Sequence, residues 1–113
     1  MLKSKVVLVP FPFDDLSSDK VRPAVCLTDA IGLHSHVVLA FVSSRAPDEL
    51  LETDLSIDWR DPDFAATGLR VPSTLRLHRL VTVSTGLIRR ELGTLPATVR
   101  ARVNERLRKL FGL

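Results

Sequence analysis

The chain of 113 residues is 45% hydrophobic and 26% charged, which is typical of an ordinary globular domain and excludes a disordered protein. Its formal net charge is +3, and its single cysteine excludes an intramolecular disulfide. We therefore expect one domain over residues 1–113, with a single core that needs neither disulfides nor structural metal ions.

Two short apolar strands joined by a long polar loop form the N-terminal part of the predicted fold. Residues 5–11 and 22–28 are rich in valine and leucine and are bounded by proline or aspartate, as strands commonly are. The loop between them is longer than the roughly two to five residues of a usual hairpin connection, and long loops tend to bind something. Cys26, between apolar neighbours in the second strand, is interpreted as a buried hydrophobic residue rather than as a catalytic thiol.

The N-terminal apolar run is too short to be a targeting or membrane-spanning segment. Pro10 and Pro12 interrupt it well below the length of a signal peptide or a membrane span. We therefore expect a soluble, cytoplasmic protein without a membrane partner.

Three further strands are predicted in the middle of the chain. Residues 36–44 are almost continuously apolar, and Leu55, Ile57 and Trp59 alternate with polar residues in the manner of a half-buried strand. Residues 71–83 alternate again, so the leucines of this strand share one face and its polar side chains share the other.

The last predicted element is a helix over residues 96–110. Val99, Val103 and Leu107 recur at helical spacing after Pro96, a residue suited to the first turn of a helix. Short strands with turn signals between them, closed by one helix, predict a mainly β protein with a C-terminal helix, arranged as a small, partly closed barrel.

Arginine is concentrated in the second half of the chain, whereas residues 48–63 are acidic. This asymmetry favours an anionic partner, either a nucleic acid or an acidic protein. For the C-terminal arginines, the alternative is a solvated basic face of the predicted helix.

Polar residues with side chains suited to phosphate chemistry lie at the ends of the predicted strands. Arg76 and His78 are two residues apart on a strand, so their side chains project from one face roughly 7 Å apart. A histidine moves protons near neutral pH and an arginine holds two phosphate oxygens in a planar fork, so the pair suits phosphodiester chemistry. The alternative is an exposed polar strand face without a function. The full candidate set is Arg22, Ser43, Ser44, Arg76 and His78.

The histidines do not predict a metal site. His34, His36 and His78 have no cysteine or second histidine at the helical spacing of metal ligands, and residues 34–36 are better explained as a polar loop that leads into a strand. No glycine-rich phosphate loop is present either, so no metal ion or cofactor is predicted.

Four stretches of the chain, taken in order, carry a family resemblance. They are "VVLVPFPFDDLSSDKVRPAVCLTD", "VVLAFVSS", "GLRVPSTLRLHRLVTV" and "LIRRELGTLP". Their order and spacing resemble the PemK/MazF family of toxin endoribonucleases from bacterial toxin-antitoxin pairs. The resemblance covers nearly the whole chain, and its most specific element is Arg22-Pro23 after the long loop.

The resemblance implies an SH3-like barrel that forms a homodimer and has a cognate antitoxin protein as a partner. It also implies metal-independent cleavage of single-stranded RNA, bound across the subunit interface, through attack of a 2'-hydroxyl. Arg22 then faces the scissile phosphate, beside a loop that flanks the RNA groove. The implied catalytic residues are Arg22, Ser43, Arg76 and His78, and the implied RNA-binding residues are Lys20, Ser44 and Arg79.

The main departure from the family pattern lies at His78, where relatives often carry an acid that is a proposed general base. A histidine either performs the same proton transfer or marks a lost activity. Two alternatives to an RNA-cleaving toxin therefore stay open. One is a gyrase-inhibiting toxin of the same fold, which acts through a C-terminal helix comparable with the end "RLRKLFGL" of this chain. The other is a catalytically eroded relative that binds nucleic acid or protein.

Overall fold

The computed structural model describes residues 1–10 and 20–113, and it folds them into one antiparallel sheet and one long helix. The elements in chain order are β1 (Lys5–Pro10), β2 (Val21–Cys26), β3 (His36–Ser43), β4 (Asp54–Ile57), a 3₁₀ helix (Phe64–Thr67), β5 (Ser73–Ser84), a second 3₁₀ helix (Thr85–Leu87), β6 (Arg90–Thr94) and α1 (Ala97–Phe111). The six strands lie in the order β4-β5-β3-β2-β1-β6, and the sheet curls into a half-barrel.

The structure confirms a mainly β protein with a C-terminal helix. The five predicted strands and the helix are present, with ends within a few residues of the predicted ones. β6 is not predicted because "RELGT" is short and charged, and it forms by antiparallel pairing with β1. Residues 11–19, which hold Asp14, Asp15 and Asp19 of the predicted loop, lie outside the described residues.

β1 is almost fully buried because the sheet carries an apolar cluster on each of its faces. Val6 packs with Val99 and Val103 of α1 on one side, here termed the helix face. Val7 packs with Val9 and other apolar residues on the opposite face. Successive side chains of a strand point to opposite faces, so a strand between two clusters reads as a continuous apolar run rather than as an alternating one.

Cys26 belongs to the cluster on the opposite face and is 1% exposed, which confirms that it is a buried residue. Burial, together with the negative charge of Glu91, raises the pKa of its thiol to about 11. Because the thiolate is the reactive form, the Cys26 thiol is inert at neutral pH.

The ends of α1 are set by one residue each, and one side of the helix is apolar. Pro96 caps the N-terminus, and Gly112 adopts a left-handed conformation with φ of +68° that ends the helix. Val99 and Val103 are its buried residues, packed on the helix face. Among the described residues, no helix is long and apolar enough to cross a membrane.

Basic residues of α1 and the acidic segment before β5 pair with each other. Arg102 Nη1 lies 2.7 Å from Asp61 Oδ1, and Lys109 Nζ lies 3.6 Å from Glu52 Oε1. Part of the charge asymmetry of the sequence is therefore satisfied inside the chain. The remaining candidates for contacts with an anionic partner are the arginines outside these pairs.

Two glycines let β6 touch the 3₁₀ helix at Phe64–Thr67. A Cβ atom on Gly93 would lie 2.1 Å from the carbonyl oxygen of Ala66, and one on Gly68 would lie 2.2 Å from that of Leu92. Backbones approach this closely only where no side chain intervenes. The contact fixes the segment between β4 and β5 against the β6 edge of the sheet.

We expect Gly93→Ala to lower the free energy of unfolding by about 3 kcal/mol, because the added methyl group must displace the backbone of Ala66 and Thr67. Gly86→Ala is the matched control, since its Cβ would meet only Ser84 Oγ at 3.5 Å, and it should change stability by less than about 0.5 kcal/mol. Urea unfolding of the two variants measures both values. Equal stabilities would show that the contact with the 3₁₀ helix is not tightly packed.

Candidate active site

An irregularity in β5 determines which of the candidate residues of this strand are exposed. In the β3–β5 ladder, one residue of β3, Phe41, lies opposite the four residues 76–79 of β5. Extra residues of this kind bend a strand and re-aim its side chains. The alternation of buried and exposed positions breaks here, so His78 and Arg79 are consecutive exposed residues, whereas Leu77 stays in the core as predicted.

A buried carboxylate, Asp54, lies between the two candidate side chains of β5. The β4–β5 register places Asp54 opposite Arg76, and Arg76 Nε donates a hydrogen bond of 2.7 Å to Asp54 Oδ1. The backbone N–H of Leu51 donates to Asp54 Oδ2 at 2.8 Å, and His78 Nδ1 lies 3.9 Å from Asp54 Oδ1. Arg76 and His78 therefore share one carboxylate and one surface.

The contact with Asp54 fixes the orientation of Arg76. With its Nε engaged, the guanidinium plane is set, and the two terminal nitrogens make no hydrogen bond within the described residues. A planar fork with two open donors is the arrangement that binds two oxygens of a phosphate.

Asp54 is the site residue that the sequence pattern misses. The alternation of residues 54–59 predicts Asp54 on the solvent side and Trp59 on the buried side, yet Asp54 is 5% exposed and Trp59 is 68% exposed. Asp54 is buried because its charge is matched by Arg76 on the neighbouring strand. Only the strand register reveals this pairing.

Ser43 and Ser44, at the end of β3, line two different cavities. Ser43 and Arg76 line an open cavity of about 380 Å³, here the Ser43 cavity. Ser44 and Arg22 line a second cavity of about 470 Å³, here the Arg22 cavity. Because the two serines are adjacent in the chain, both cavities border the end of β3.

The hydroxyl of Ser43 is engaged in a local turn. Its Oγ donates to the carbonyl oxygen of Arg45 at 3.1 Å and accepts from the backbone N–H of Arg45 at 3.2 Å. A hydrogen bond from Ser43 to a phosphate therefore requires the hydroxyl to rotate away from Arg45. The same two bonds hold the backbone at the rim of the Ser43 cavity.

Among the described residues, those that line the Arg22 cavity include three arginines and no acid. They are Arg22, Arg70 and Arg90. Within the described residues, no carboxylate pairs with Arg70 or Arg90. Neither is a candidate on sequence grounds, because Arg70 lies in a loop and Arg90 in the unpredicted strand β6. Such a concentration of positive charge favours phosphate groups.

The structure thus brings the candidate residues together in two groups. One group is Ser43, Arg76 and His78 around Asp54, and the other is Arg22 with Ser44 in the Arg22 cavity. Lys20 and Arg79 are exposed and line neither cavity.

The remaining histidines lie close together, His34 in the turn before β3 and His36 at the first residue of β3. The rings of His34 and His36 are 6.1 Å apart between centroids. In the described part of the chain, no three of the His, Cys, Asp and Glu side chains gather as a metal-binding group.

Comparisons with known proteins give one matching family and several solved structures of similar fold. A family model described as a PemK-like, MazF-like toxin of a type II toxin-antitoxin system matches residues 3–111. The fold is similar to that of the Mycobacterium tuberculosis toxin MazF-mt6, which is 22% identical with a TM-score of 0.72, over 96% of this chain and 97% of that one.

Two further solved structures have the same fold. An endoribonuclease in complex with its cognate antitoxin, from a mycobacterial species, is 13% identical with a TM-score of 0.70, over 100% of this chain and 96% of that one. A crystal structure of an Mtb toxin is 19% identical with a TM-score of 0.69, over 94% of this chain and 99% of that one. A comparison with curated protein sequences gave no match.

We expect Asp54→Asn to lower the free energy of unfolding by about 1–3 kcal/mol, because a neutral amide leaves the charge of Arg76 unmatched. Glu105→Gln is the control, because Glu105 pairs with Arg106 at the surface with 59% of its side chain exposed. That variant should lose less than about 0.5 kcal/mol. Urea unfolding at neutral pH compares the two, and similar losses would mean that Asp54 holds Arg76 no more firmly than a surface acid does.

Proposed function

The chain belongs to the PemK-like, MazF-like family of toxins of type II toxin-antitoxin systems, and on this premise we propose that it is an endoribonuclease that cleaves single-stranded RNA without a metal ion. The observation that carries the proposal is the arrangement of Arg76 and His78 around the buried Asp54. A cation for the phosphate and an imidazole for the proton then lie on one exposed surface. A relative of the same fold that is described as an endoribonuclease supports the reaction class.

The reaction begins with removal of the proton from the 2'-hydroxyl of the RNA. His78 is the base in this proposal. Its Nδ1 faces Asp54, so Nε2 is the nitrogen that takes the proton from the substrate. The imidazolium that results lies beside the Asp54 carboxylate, which stabilises its positive charge, so Asp54 is a positioning residue for both Arg76 and His78.

The 2'-oxygen then attacks phosphorus, and the bond from phosphorus to the 5'-oxygen breaks. Negative charge develops on the phosphate oxygens, where the terminal nitrogens of Arg76 and the guanidinium of Arg22 stabilise it. Ser43 donates a further hydrogen bond once its hydroxyl leaves Arg45. Arginine keeps its protons at any physiological pH, so the leaving 5'-oxygen takes its proton from water.

This mechanism defines the substrate and the products. The nucleophile is the 2'-hydroxyl, so RNA is cleaved and DNA is not, and the products carry a 2',3'-cyclic phosphate and a 5'-hydroxyl. Lys20, Ser44 and Arg79 contact the RNA on either side of the cleaved bond. No step requires a cofactor.

The proposed protein partners are a second copy of the chain and a cognate antitoxin. A structural relative was solved with its own cognate antitoxin, which supports an antitoxin partner here. The sequence suggests Val71, Leu87 and Ile88 as exposed apolar residues for a dimer interface. Val71 is 46% exposed, whereas Leu87 and Ile88 pack against the apolar cluster on the opposite face. Of these three residues, only Val71 therefore supports a dimer interface.

The proposed dimer predicts a molar mass of twice 12.5 kDa by light scattering at micromolar concentration. A second copy covers exposed apolar surface such as Val71, and this burial stabilises the dimer. A strictly monomeric mass at these concentrations would remove a groove shared between subunits from the proposal.

Incubation with a long RNA in the presence of EDTA tests the proposed reaction. We expect fragments with cyclic-phosphate ends, and no cleavage of an oligonucleotide that carries a single 2'-deoxy substitution at the cleaved position.

Arg22→Ala should reduce the rate by about 100-fold or more without a change in melting temperature, because an exposed cation contributes little to stability. The control is Arg108→Ala, which removes an exposed arginine of α1 outside both cavities and should leave the rate unchanged. A rate loss in Arg22→Ala that only follows loss of folded protein would assign Arg22 a structural role.

One observation favours the gyrase-directed alternative as the second candidate. At the end of α1, Phe111 is 59% exposed and Leu113 is 89% exposed, as a C-terminal docking segment requires. This alternative predicts inhibition of DNA supercoiling by gyrase and no RNA fragments. It also predicts that removal of residues 111–113 abolishes the inhibition.

The base role of His78 predicts a characteristic pH dependence of cleavage. An imidazole base acts in its neutral form, so the rate should rise with pH until the imidazole is fully neutral. A carboxylate base gives a rise about three pH units lower. We therefore expect His78→Asp to stay active with its rising limb shifted to acid pH, and His78→Ala to lose about 100-fold or more. A flat rate from pH 5 to 8 in the parent protein, or an undiminished alanine variant, would remove His78 from the reaction.

A further inference from the structure

The Arg22 cavity continues into a third cavity that the proposed reaction does not use. Leu69 and Arg70 line both the Arg22 cavity and an open cavity of about 630 Å³, here the Trp59 cavity. The Trp59 cavity is lined by the segment that connects β4 to β5, including Trp59 and Phe64. One continuous surface therefore leads from the end of β3, past three arginines, to an aromatic side chain.

Trp59 is the single tryptophan of the chain, and it is 68% exposed. Its ring meets the buried Phe64 edge to face, with 6.3 Å between centroids and an angle of 71°. The edge-to-face contact with Phe64 orients the indole while most of its surface stays open. A large aromatic group in this setting is a platform for a planar ligand.

The turn that carries Trp59 is held by a dense set of hydrogen bonds. The backbone N–H of Asp58 donates to Asp61 Oδ2 at 2.8 Å, and that of Arg60 donates to Asp58 Oδ1 at 2.9 Å. The Arg60 guanidinium lowers the pKa of Asp58 to about 2, so this carboxylate stays ionised at all physiological pH values. Arg102 of α1 binds Asp61 Oδ1 at 2.7 Å and the carbonyl oxygen of Ser56 at 3.1 Å. Trp59 is thus presented by a pre-organised turn.

The charges along the surface indicate which part of a ligand lies where. The described part of the Arg22 cavity lining has three arginines and no acid, so it suits phosphates. In the Trp59 cavity, Asp61 is paired with Arg102 and Arg60 is paired with Asp58, while Asp63 adds an exposed negative charge. This end is unsuited to a phosphate but compatible with an uncharged ring, and Arg70 lies at the boundary between the two cavities.

On the basis of the proposed function, we propose that the Trp59 cavity is a nucleotide subsite, in which an unpaired base next to the cleaved bond stacks on Trp59 while Arg70 holds the intervening phosphate. Single-stranded RNA is recognised in this way, through bases stacked on aromatic side chains and backbone phosphates held by arginine. A protein ligand is less favoured, because the three arginines of the adjoining cavity and the exposed ring of Trp59 match the phosphate and the base of one nucleotide.

The single tryptophan allows a direct test by fluorescence. A 2'-O-methyl oligonucleotide, which lacks the free 2'-hydroxyl and is not cleaved, is titrated into the intact protein at lengths from two to eight nucleotides. The same oligonucleotides with a fluorescein label report binding independently by anisotropy. We expect quenching of Trp59 only with oligonucleotides that extend beyond the cleavage position, and loss of quenching when the base at the stacking position is replaced by an abasic residue.

Kinetics of the variants give a second readout. Trp59→Ala should raise KM for a long RNA by about tenfold and leave kcat unchanged, because stacking binds substrate and transition state alike. Trp59→Phe should retain most of the affinity, since a phenyl ring also stacks. Leu50→Ala is the control, because Leu50 is 64% exposed but lines none of these cavities, and its KM should equal that of the parent.

The outcomes separate the subsite from the proposed function. Binding by anisotropy without quenching at any length overturns the subsite and leaves RNA cleavage intact, and so does a parental KM in Trp59→Ala. Absence of both oligonucleotide binding and RNA cleavage overturns the proposed function itself. Loss of antitoxin binding in Trp59→Ala with an unchanged KM assigns the surface to a protein partner and overturns the RNA subsite. If Trp59→Ala does not fold, the titration of the parent protein still decides.

Discussion

Arg76 stays ionised at every physiological pH and is only partly exposed, so its charge requires a carboxylate beside it. In this chain the carboxylate is that of Asp54. Satisfying this charge aligns the edge strand β4 with β5, because the two residues lie directly opposite each other in the ladder. It also fixes the plane of the guanidinium and brings His78 to the same carboxylate. One ion pair therefore links the strand register to the orientation of both proposed catalytic groups.

Charged residues form two groups in the fold, one of paired acids and bases and one of arginines around a single cavity. Acidic residues between β3 and β5 pair with the basic α1, which anchors this connection against the helix face. Arg70 and Arg90, which have no carboxylate partner in the described ranges, line a cavity with Arg22 at the end of the sheet. The net charge of the whole chain thus understates how strongly this one surface attracts anions.

The fold was largely predictable from the sequence, whereas the site was predictable only in part. Apolar runs bounded by turn residues predict five strands and the helix, because burial on the two faces of a sheet leaves a direct pattern in the sequence. β6 leaves no such pattern, since pairing with β1 stabilises it more than its own side chains do. Arg76 and His78 are recognisable by their spacing on one strand. Asp54 and Arg70 are not, because their positions depend on strand register and on a loop. The catalytic and RNA-binding roles stay predictions.

The irregularity in β5 changes which side chains lie at the surface without interrupting the pairing of β3 and β5 on either side of it. Residues 76–79 lie opposite a single residue of β3, so the ladder between these strands does not depend on their number. A gene that gains or loses a codon after Leu77 in this stretch changes which side chains are exposed while the β3–β5 pairing on either side persists, whereas Arg76 and Leu77 are held by Asp54 and by the core. The surface side chains can therefore vary here by changes of length as well as of residue type, as long as Arg76 and Leu77 keep their places.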